Sequence, residues 1–305
     1  MARMLTRRAL LAAPLAASLV RTLHAQEPAA GSMQLAMHQN TSRAAGFRRS
    51  LEGWAQAGIR HVELTDVLLD QFLQSDTLQG ARRLLGDLSL TPASAAAVLP
   101  DVWIPGPERA ASLETWRRRC EQFAVLGLDK IYCPSITARP VTANDFAATP
   151  ACIREVGDIT RGFGLTAMIE FARTSTHLAT LPSTLQVIRD AEHPAVRPML
   201  DFFHFYSGLS KLEDLDLLEP GELAHVHFQD LLDGPRELID NNSRLIPGDG
   251  IAPLVPILRK LASKEYRGAL SVELFRAELV EGDPFKVAEE IRAKCETVMR
   301  SAQVL

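Results

Sequence analysis

Cysteine pairs, nucleotide-binding glycine motifs and an excess of positive charge are all missing from this chain of 305 residues. The cysteines form no Cys-x-x-Cys pair, which excludes a zinc knuckle or a dithiol redox motif of ordinary spacing. They are predicted to be small buried side chains, with disulfides as the alternative in an oxidising compartment. No GxGxxG or P-loop accompanies the first predicted strand, which disfavours nucleotide binding. The formal net charge is −4, so the chain lacks the basic character that nucleic-acid binding requires.

A long uninterrupted hydrophobic run is also missing. The best candidate lies near the N-terminus, where Pro14 and Arg21 break it, so a membrane span is disfavoured. Apolar residues nevertheless make up 47% of the chain, which is ample for a large buried core. The composition therefore indicates one large α/β domain or two small ones.

Residues 1–25 are predicted to be a twin-arginine export signal, followed by a linker over 26–32. Arg7 and Arg8 precede an Ala/Leu-rich stretch, and the small Ala25 offers a cleavage point. The alternatives are a frayed N-terminal helix or a start codon placed too early. Cleavage removes four arginines and no acids, so the net charge moves from −4 to −8. The mature protein is expected in the periplasm, with no membrane partner after signal cleavage.

Eight strand-like runs alternate with helical patterns along the rest of the chain. The runs lie near 34–38, 60–65, 92–98, 129–134, 165–171, 197–202, 223–228 and 269–275. Amphipathic stretches with helical spacing lie near 45–57, 111–126, 151–163, 252–263 and 284–302. This alternation predicts a single-domain (β/α)8 TIM barrel over residues 33–305, and a doubly wound open sheet is the alternative.

The last four predicted strands each end in an acid or a histidine, namely Glu170, Asp201, His227 and Glu273. In a parallel barrel all strand C-termini open onto one face, so these side chains are expected to converge. Three carboxylates so close together repel one another unless a cation neutralises them, which predicts one divalent metal ion. Oxygen ligands with one imidazole suit Mn²⁺, Mg²⁺ or Co²⁺ better than Zn²⁺. Taken singly, each residue has the alternative of a capped strand end or a salt-bridged core acid.

Two neighbours of His227 have different expected roles. His225 points to the same side of its strand but lies one layer deeper, so a hydrogen-bonded core histidine is predicted. Asp230 either orients His227 from behind the metal or is an ordinary helix-cap or loop acid.

These motifs resemble the xylose isomerase-like TIM barrel superfamily, which holds sugar and sugar-phosphate isomerases, epimerases, inosose dehydratases and endonuclease IV. The resemblance is carried by MIEF around Glu170, LDFFH with Asp201 and His204, HVHFQD around His227, RLIPGDG over 244–250 and SVELF around Glu273. The N-terminal half matches only in its strand pattern and in HVEL, which contains Glu63.

The resemblance implies that Glu170, Asp201, His227 and Glu273 bind one metal ion, which chelates the carbonyl and adjacent hydroxyl of a sugar or keto-sugar. It further implies that Glu170 and Glu273 are catalytic. One removes the proton next to the carbonyl, giving a metal-stabilised enediolate, and the other returns it. His204 and Arg244 match positions that bind substrate oxygens, with a core histidine and an exposed loop arginine as the alternatives.

The implied function is an exported sugar isomerase or epimerase. A keto-sugar or inosose dehydratase or lyase on the same scaffold is the first alternative, and a non-catalytic sugar-binding barrel is the second. No nucleic-acid partner is expected, and a homo-oligomer is left open.

Two departures from the superfamily limit the choice of substrate. Endonuclease IV needs further histidines on early strands and an Asp-Arg-His loop, whereas residues 92–98 contain no histidine and the loop carries Asn242 and Arg244. Ketohexose epimerases have a glutamate six residues after the fifth-strand ligand, where this chain has Thr176. DNA repair is therefore disfavoured. Export favours free sugars, keto-sugars or inososes over phosphorylated sugars.

Overall fold

The structure is a computed structural model that describes residues 32–305. The predicted export signal (1–25) and residues 26–31 of the predicted linker lie outside the described residues, so both stay predictions. Among the described helices, none is both long enough and apolar enough to cross a membrane.

Eight parallel strands close into a barrel in which the first strand pairs with both the second and the last. They are β1 (Gln34–His38), β2 (His61–Thr65), β3 (Thr91–Ala96), β4 (Lys130–Pro134), β5 (Thr166–Glu170), β6 (Val196–Asp201), β7 (His225–His227) and β8 (Ala269–Val272). All eight predicted strands are present, so the predicted TIM barrel is confirmed and the open-sheet alternative is wrong.

Helices cover the outside of the barrel, and the short helix after the sixth strand lies at its mouth. They are α1 (Gly46–Gln56), α2 (Asp66–Phe72), α3 (Leu78–Asp87), α4 (Arg109–Val125), α5 (Ala143–Arg161), α6 (Leu181–Ala191), α7 (Phe202–Ser207), α8 (Leu254–Ser263), α9 (Ala277–Val280) and α10 (Pro284–Ala302). Four of them begin after a threonine whose hydroxyl accepts a backbone N–H three residues on. These threonines satisfy amide groups that the first helical turn leaves unpaired.

Helix α5 begins earlier than the predicted 151–163, because the hydrogen bonds at its start lie before Pro150. Thr142 and Asp145 each accept a backbone N–H from the other, which is a capping box. Pro150 therefore lies inside the helix rather than before it. The predicted stretch covers only the C-terminal part of this helix, whereas the cap at Thr142 determines where the helix starts.

The barrel interior has an apolar side and a polar side. The apolar side is a cluster from β3 to β6, made of Ala96, Tyr132, Met168 and Met199. The polar side comes from β1, β2 and β7 and contains His38, Glu63, His225 and His227, all of them buried. Branched apolar side chains usually fill a TIM barrel, so a buried polar half has a free-energy cost that packing alone does not explain. The four cysteines are buried and free, as the sequence predicts.

His177 lies on the loop after β5 and makes stability depend on pH. It is buried, and its Nε2 lies 2.8 Å from the Thr149 hydroxyl. Burial lowers the pKa of His177 from 6.5 to about 4. As the pH falls, the unfolded chain takes up this proton before the folded protein does. Stability is therefore lost between pH 6.5 and 4, by about 3 kcal/mol from this residue.

We expect His177→Gln to remove this contribution. The free energy of unfolding in urea should then fall less than that of the wild type between pH 7.5 and pH 4.5, by about 2 kcal/mol. Each protein is compared with itself at two pH values, so a constant packing cost of the substitution cancels. An equal fall in both proteins would contradict the assignment.

Candidate active site

The four residues predicted to bind a metal converge at the C-terminal mouth of the barrel. Glu170, Asp201 and His227 are the last residues of β5, β6 and β7, and Glu273 directly follows β8. One ligand atom of each lies within 4.8 Å of the others, and all four side chains are buried. Because β5 to β8 are neighbours in the barrel, the four residues form a row with a glutamate at each end.

The Nδ1 atom of His227 lies among three carboxylate oxygens of this row. It is 3.0 Å from Glu170 Oε1, 3.3 Å from Asp201 Oδ2 and 3.4 Å from Glu273 Oε2. One ring nitrogen carries at most one hydrogen and satisfies at most one of these oxygens. Glu170 Oε1 is buried without a hydrogen-bond partner in the described part of the chain, because the approach of the ring lacks hydrogen-bond geometry. Three carboxylates and one imidazole therefore fit a divalent cation that prefers oxygen ligands.

Asp201 is held in position by neighbouring donors. Its Oδ1 accepts the backbone N–H of His204 at 2.7 Å, which caps α7, and the amide of Gln229 at 2.7 Å. Its Oδ2 accepts a hydrogen bond from Arg244 at 2.6 Å and lies 3.3 Å from Nδ1 of His227. Burial raises the pKa of this carboxyl group, but Arg244, His204 and His227 outweigh burial and hold it well below its usual value.

The two glutamates have different electrostatic surroundings. Burial raises the pKa of Glu170 to about 7, against the opposing effect of His227. Burial acts in the same direction on Glu273, but His38, His227 and Arg244 together lower its pKa below the ordinary value. A cation bound by this row would lower the pKa of both carboxyl groups.

A fourth buried carboxylate, Glu63 on β2, lies behind the row. Its Oε1 is 3.3 Å from Nε2 of His227, and its Oε2 is 2.9 Å from Nε2 of His225. His225 is thus the hydrogen-bonded core histidine that the sequence predicts. The sequence analysis named Glu63 only as part of HVEL and missed His38, whose Nε2 lies 3.6 Å from Glu273. The sequence feature that could have identified both residues is a polar side chain at an inward position of an otherwise apolar strand.

Asp230 organises a loop and does not orient His227. Its carboxylate accepts the backbone N–H groups of Gly248, Gly250 and Ala252 at 3.0, 2.9 and 2.9 Å. A Cβ atom at Gly250 would lie 2.5 Å from the Asp230 carboxylate, so this close approach requires glycine. The loop-acid alternative is therefore confirmed, and the orienting role is wrong for Asp230.

The loop that Asp230 organises places Arg244 in the site. Arg244 is only 2% exposed and lies against the rings of Phe203 and Phe275, 4.4 and 5.2 Å from their centroids. Its guanidinium also lies 3.1 Å from Glu273 Oε2. The exposed-loop alternative for Arg244 is therefore wrong. The substrate-binding role stays a prediction.

A cavity of about 480 Å³ opens above the row, and both predicted substrate-binding residues, His204 and Arg244, line it. Nε2 of His204 lies 3.3 Å from Arg244, and its Nδ1 accepts the backbone N–H of Arg173. Burial lowers the pKa of His204 to about 4. Thr176 is outside the cavity lining, and its hydroxyl donates a hydrogen bond to the backbone carbonyl of Arg139.

Comparison with known proteins gives matches to one family. The model of the xylose isomerase-like TIM barrel family matches residues 51–298. An inosose isomerase of Halalkalibacterium halodurans is 28% identical over 127 residues, which are 41% of this chain and 45% of that protein. An inosose isomerase of Bacillus licheniformis is 25% identical over 61% of this chain and 67% of that protein. A 3-dehydroshikimate dehydratase of Pseudomonas putida is 25% identical over 54% of this chain, but the match spans only 26% of that protein.

Solved structures with the same fold cover most of the described barrel. A crystal structure of the IolI protein with a bound zinc atom has a TM-score of 0.82 at 19% identity, covering 90% of this chain and 99% of that one. A D-psicose 3-epimerase crystallised in the presence of D-fructose has a TM-score of 0.72 at 20% identity, covering 89% and 100%. At these identities the likeness establishes the shared fold.

We expect the wild-type protein to bind one equivalent of Mn²⁺ or Co²⁺, and Asp201→Asn to weaken that binding at least about 10-fold, because a neutral amide replaces a charged ligand. Calorimetric titration of the metal-free protein measures both the number of ions bound and the affinity. Asp66→Asn is the matched control, because Asp66 lines the cavity but is not part of the row. Binding by Asp201→Asn as tight as that of the wild type would contradict the assignment.

Proposed function

This chain belongs to the xylose isomerase-like TIM barrel family, and from that premise we propose that it is a divalent-metal-dependent sugar isomerase or epimerase. The proposed reaction is proton transfer at a carbon next to a carbonyl group. The observation that carries the proposal is the row of four ligands with a glutamate at each end. Relatives named inosose isomerase, and an epimerase of the same fold, support it.

Each residue of the row has a defined task in this proposal. A bound divalent ion supplies Lewis acidity, which lowers the pKa of the C–H group beside a coordinated carbonyl. Asp201 and His227 lie in the middle of the row and contribute ligand atoms only. Glu170 and Glu273 lie at its ends, so one carboxylate takes the proton from carbon while the other donates a proton to the opposite face or to the neighbouring carbon. The cycle neither gains nor loses protons.

The cavity wall supplies groups that bind and orient a sugar. His204 and Arg244 stay the proposed substrate-binding residues, because both line the cavity above the row. Phe203 and Phe275 line the same cavity, and their rings limit the access of water to the reacting carbon.

A dehydratase or lyase is the second candidate, and the relative named 3-dehydroshikimate dehydratase favours it. Both reactions begin when a carboxylate removes the proton next to a carbonyl group. In the lyase reaction the electron pair then expels an oxygen on the β carbon, which leaves as water after protonation. The mass of the product distinguishes the two candidates, since isomerisation conserves mass and dehydration removes one water.

We expect the wild type with Mn²⁺ in D₂O to incorporate deuterium next to the carbonyl of a keto-sugar or an inosose, as measured by NMR. Glu170→Gln and Glu273→Gln should each slow this exchange at least about 100-fold, because the amide neither accepts nor donates the transferred proton. Metal content is measured in the same samples, so that loss of the ion is not mistaken for loss of the base. A metal-loaded wild type that exchanges no deuterium with any of these compounds would favour the non-catalytic sugar-binding alternative.

We also propose that the protein is exported, on the basis of the adjacent Arg7 and Arg8 in the predicted signal. Replacing both with lysine should move most of the protein from the periplasmic to the cytoplasmic fraction, because twin-arginine export requires the arginine pair. Immunoblotting of cell fractions measures this distribution. A wild type that is already in the cytoplasmic fraction would argue for the frayed-helix or early-start alternatives, and a variant that stays in the periplasm would contradict the twin-arginine assignment.

A further inference from the structure

Glu63 is a buried carboxylate that the proposed chemistry does not use. It is 0% exposed and lies on β2, whereas the row of ligands comes from β5 to β8. From β2 its carboxylate reaches across the barrel interior to the side of the His227 ring that faces away from the row. Its ion-pair partners among the described residues are two imidazoles, and none is a lysine or an arginine.

A charge in this position has a large free-energy cost. Removing a carboxylate from water is unfavourable unless it gains close, well-oriented partners. An apolar residue would fill the same volume without that cost, and the opposite side of the barrel is filled with methionine, alanine and tyrosine. Glu63 therefore requires an explanation in terms of the residues that it contacts.

The contact with His227 supplies that explanation. Nδ1 of His227 faces the three ligand carboxylates, so this nitrogen must offer its lone pair to an ion bound there. The ring hydrogen must then be on Nε2, where Glu63 Oε1 lies 3.3 Å away as its acceptor. A carboxylate behind a metal-binding histidine fixes its tautomer and its ring orientation and makes it a better ligand.

We propose that Glu63 is a positioning residue of the metal centre, that it holds His227 with Nδ1 directed at the ion, and that His225 anchors Glu63 through its second oxygen. The anchor is the shorter contact, 2.9 Å between His225 Nε2 and Glu63 Oε2. This inference rests on the metal centre proposed above and goes beyond it, because neither the sequence motifs nor the row of ligands assigns a role to Glu63.

A second metal ion among His38, Glu63 and His227 is the competing explanation, since these side chains are also close enough to share one. The contacts of His38 count against it. Nδ1 of His38 accepts the backbone N–H of Asn40 at 3.1 Å, and its Nε2 lies 3.0 Å from the Tyr132 hydroxyl. A second ion would also require His227 to bind one metal through each ring nitrogen.

The test is titration of metal-free wild type and Glu63→Gln with Co²⁺, followed by calorimetry and by the visible spectrum of the bound ion. Glutamine has the size of glutamate, but an NH2 donor replaces one of its two acceptor oxygens, so His225 and His227 no longer each face an acceptor oxygen of their own. We expect Glu63→Gln to bind one equivalent with 10- to 100-fold lower affinity and with an altered spectrum. Ser94→Ala is the control, because Ser94 pairs with Glu63 in the strand register and its hydroxyl has no partner in the described structure. This control should bind within about twofold of the wild type.

Affinity and spectrum of Glu63→Gln equal to those of the wild type would overturn the proposal. Two equivalents in the wild type and one in Glu63→Gln would overturn it in favour of a second ion. No binding by the wild type would contradict the metal centre itself, which distinguishes that failure from the failure of this inference. If Glu63→Gln does not fold, His225→Asn is used instead, because it removes the anchor and leaves Glu63 in place. We then expect metal affinity to fall, by less than in Glu63→Gln.

Discussion

The electrostatic cost of burying four carboxylates around one imidazole is the constraint on which the rest of this site depends. Glu63, Glu170, Asp201 and Glu273 are each at most 5% exposed. Arg244 is the guanidinium group that contacts them, through Asp201 and Glu273. One such cation does not balance four acids in a medium of low dielectric constant, and a divalent ion supplies most of the missing positive charge.

The barrel makes this arrangement possible because its strands are rigid and end at the same level. Each strand from β5 to β8 delivers one ligand, and the two glutamates reach the ends of the row without long loops. The loop after β7 supplies the guanidinium of Arg244. Asp230 accepts hydrogen bonds from backbone N–H groups of this loop, and Arg244 donates a hydrogen bond to Asp201. Separate elements thus supply the charges, and the fold brings them to one point.

The sequence predicts the row of ligands but not the residues behind it. Glu170, Asp201, His227 and Glu273 each interrupt an apolar run at a strand end, which is a local pattern that periodicity reveals. Glu63 and His38 lie on early strands, and their partner His227 is more than 160 residues later in the chain, so only the closed barrel brings them together. Arg244 belongs to a two-stranded ribbon of 230–231 and 244–245, and no local sequence pattern predicts that its guanidinium packs against Phe203 and Phe275.

Crystals grown with Mn²⁺ and measured for anomalous scattering test the central claim most directly. The account predicts a single strong peak that contacts Glu170, Asp201, Glu273 and Nδ1 of His227, with Nε2 of that ring hydrogen-bonded to Glu63. A peak on the other side of the ring, among His38, Glu63 and Nε2 of His227, would contradict it. So would the absence of any peak at the mouth of the barrel.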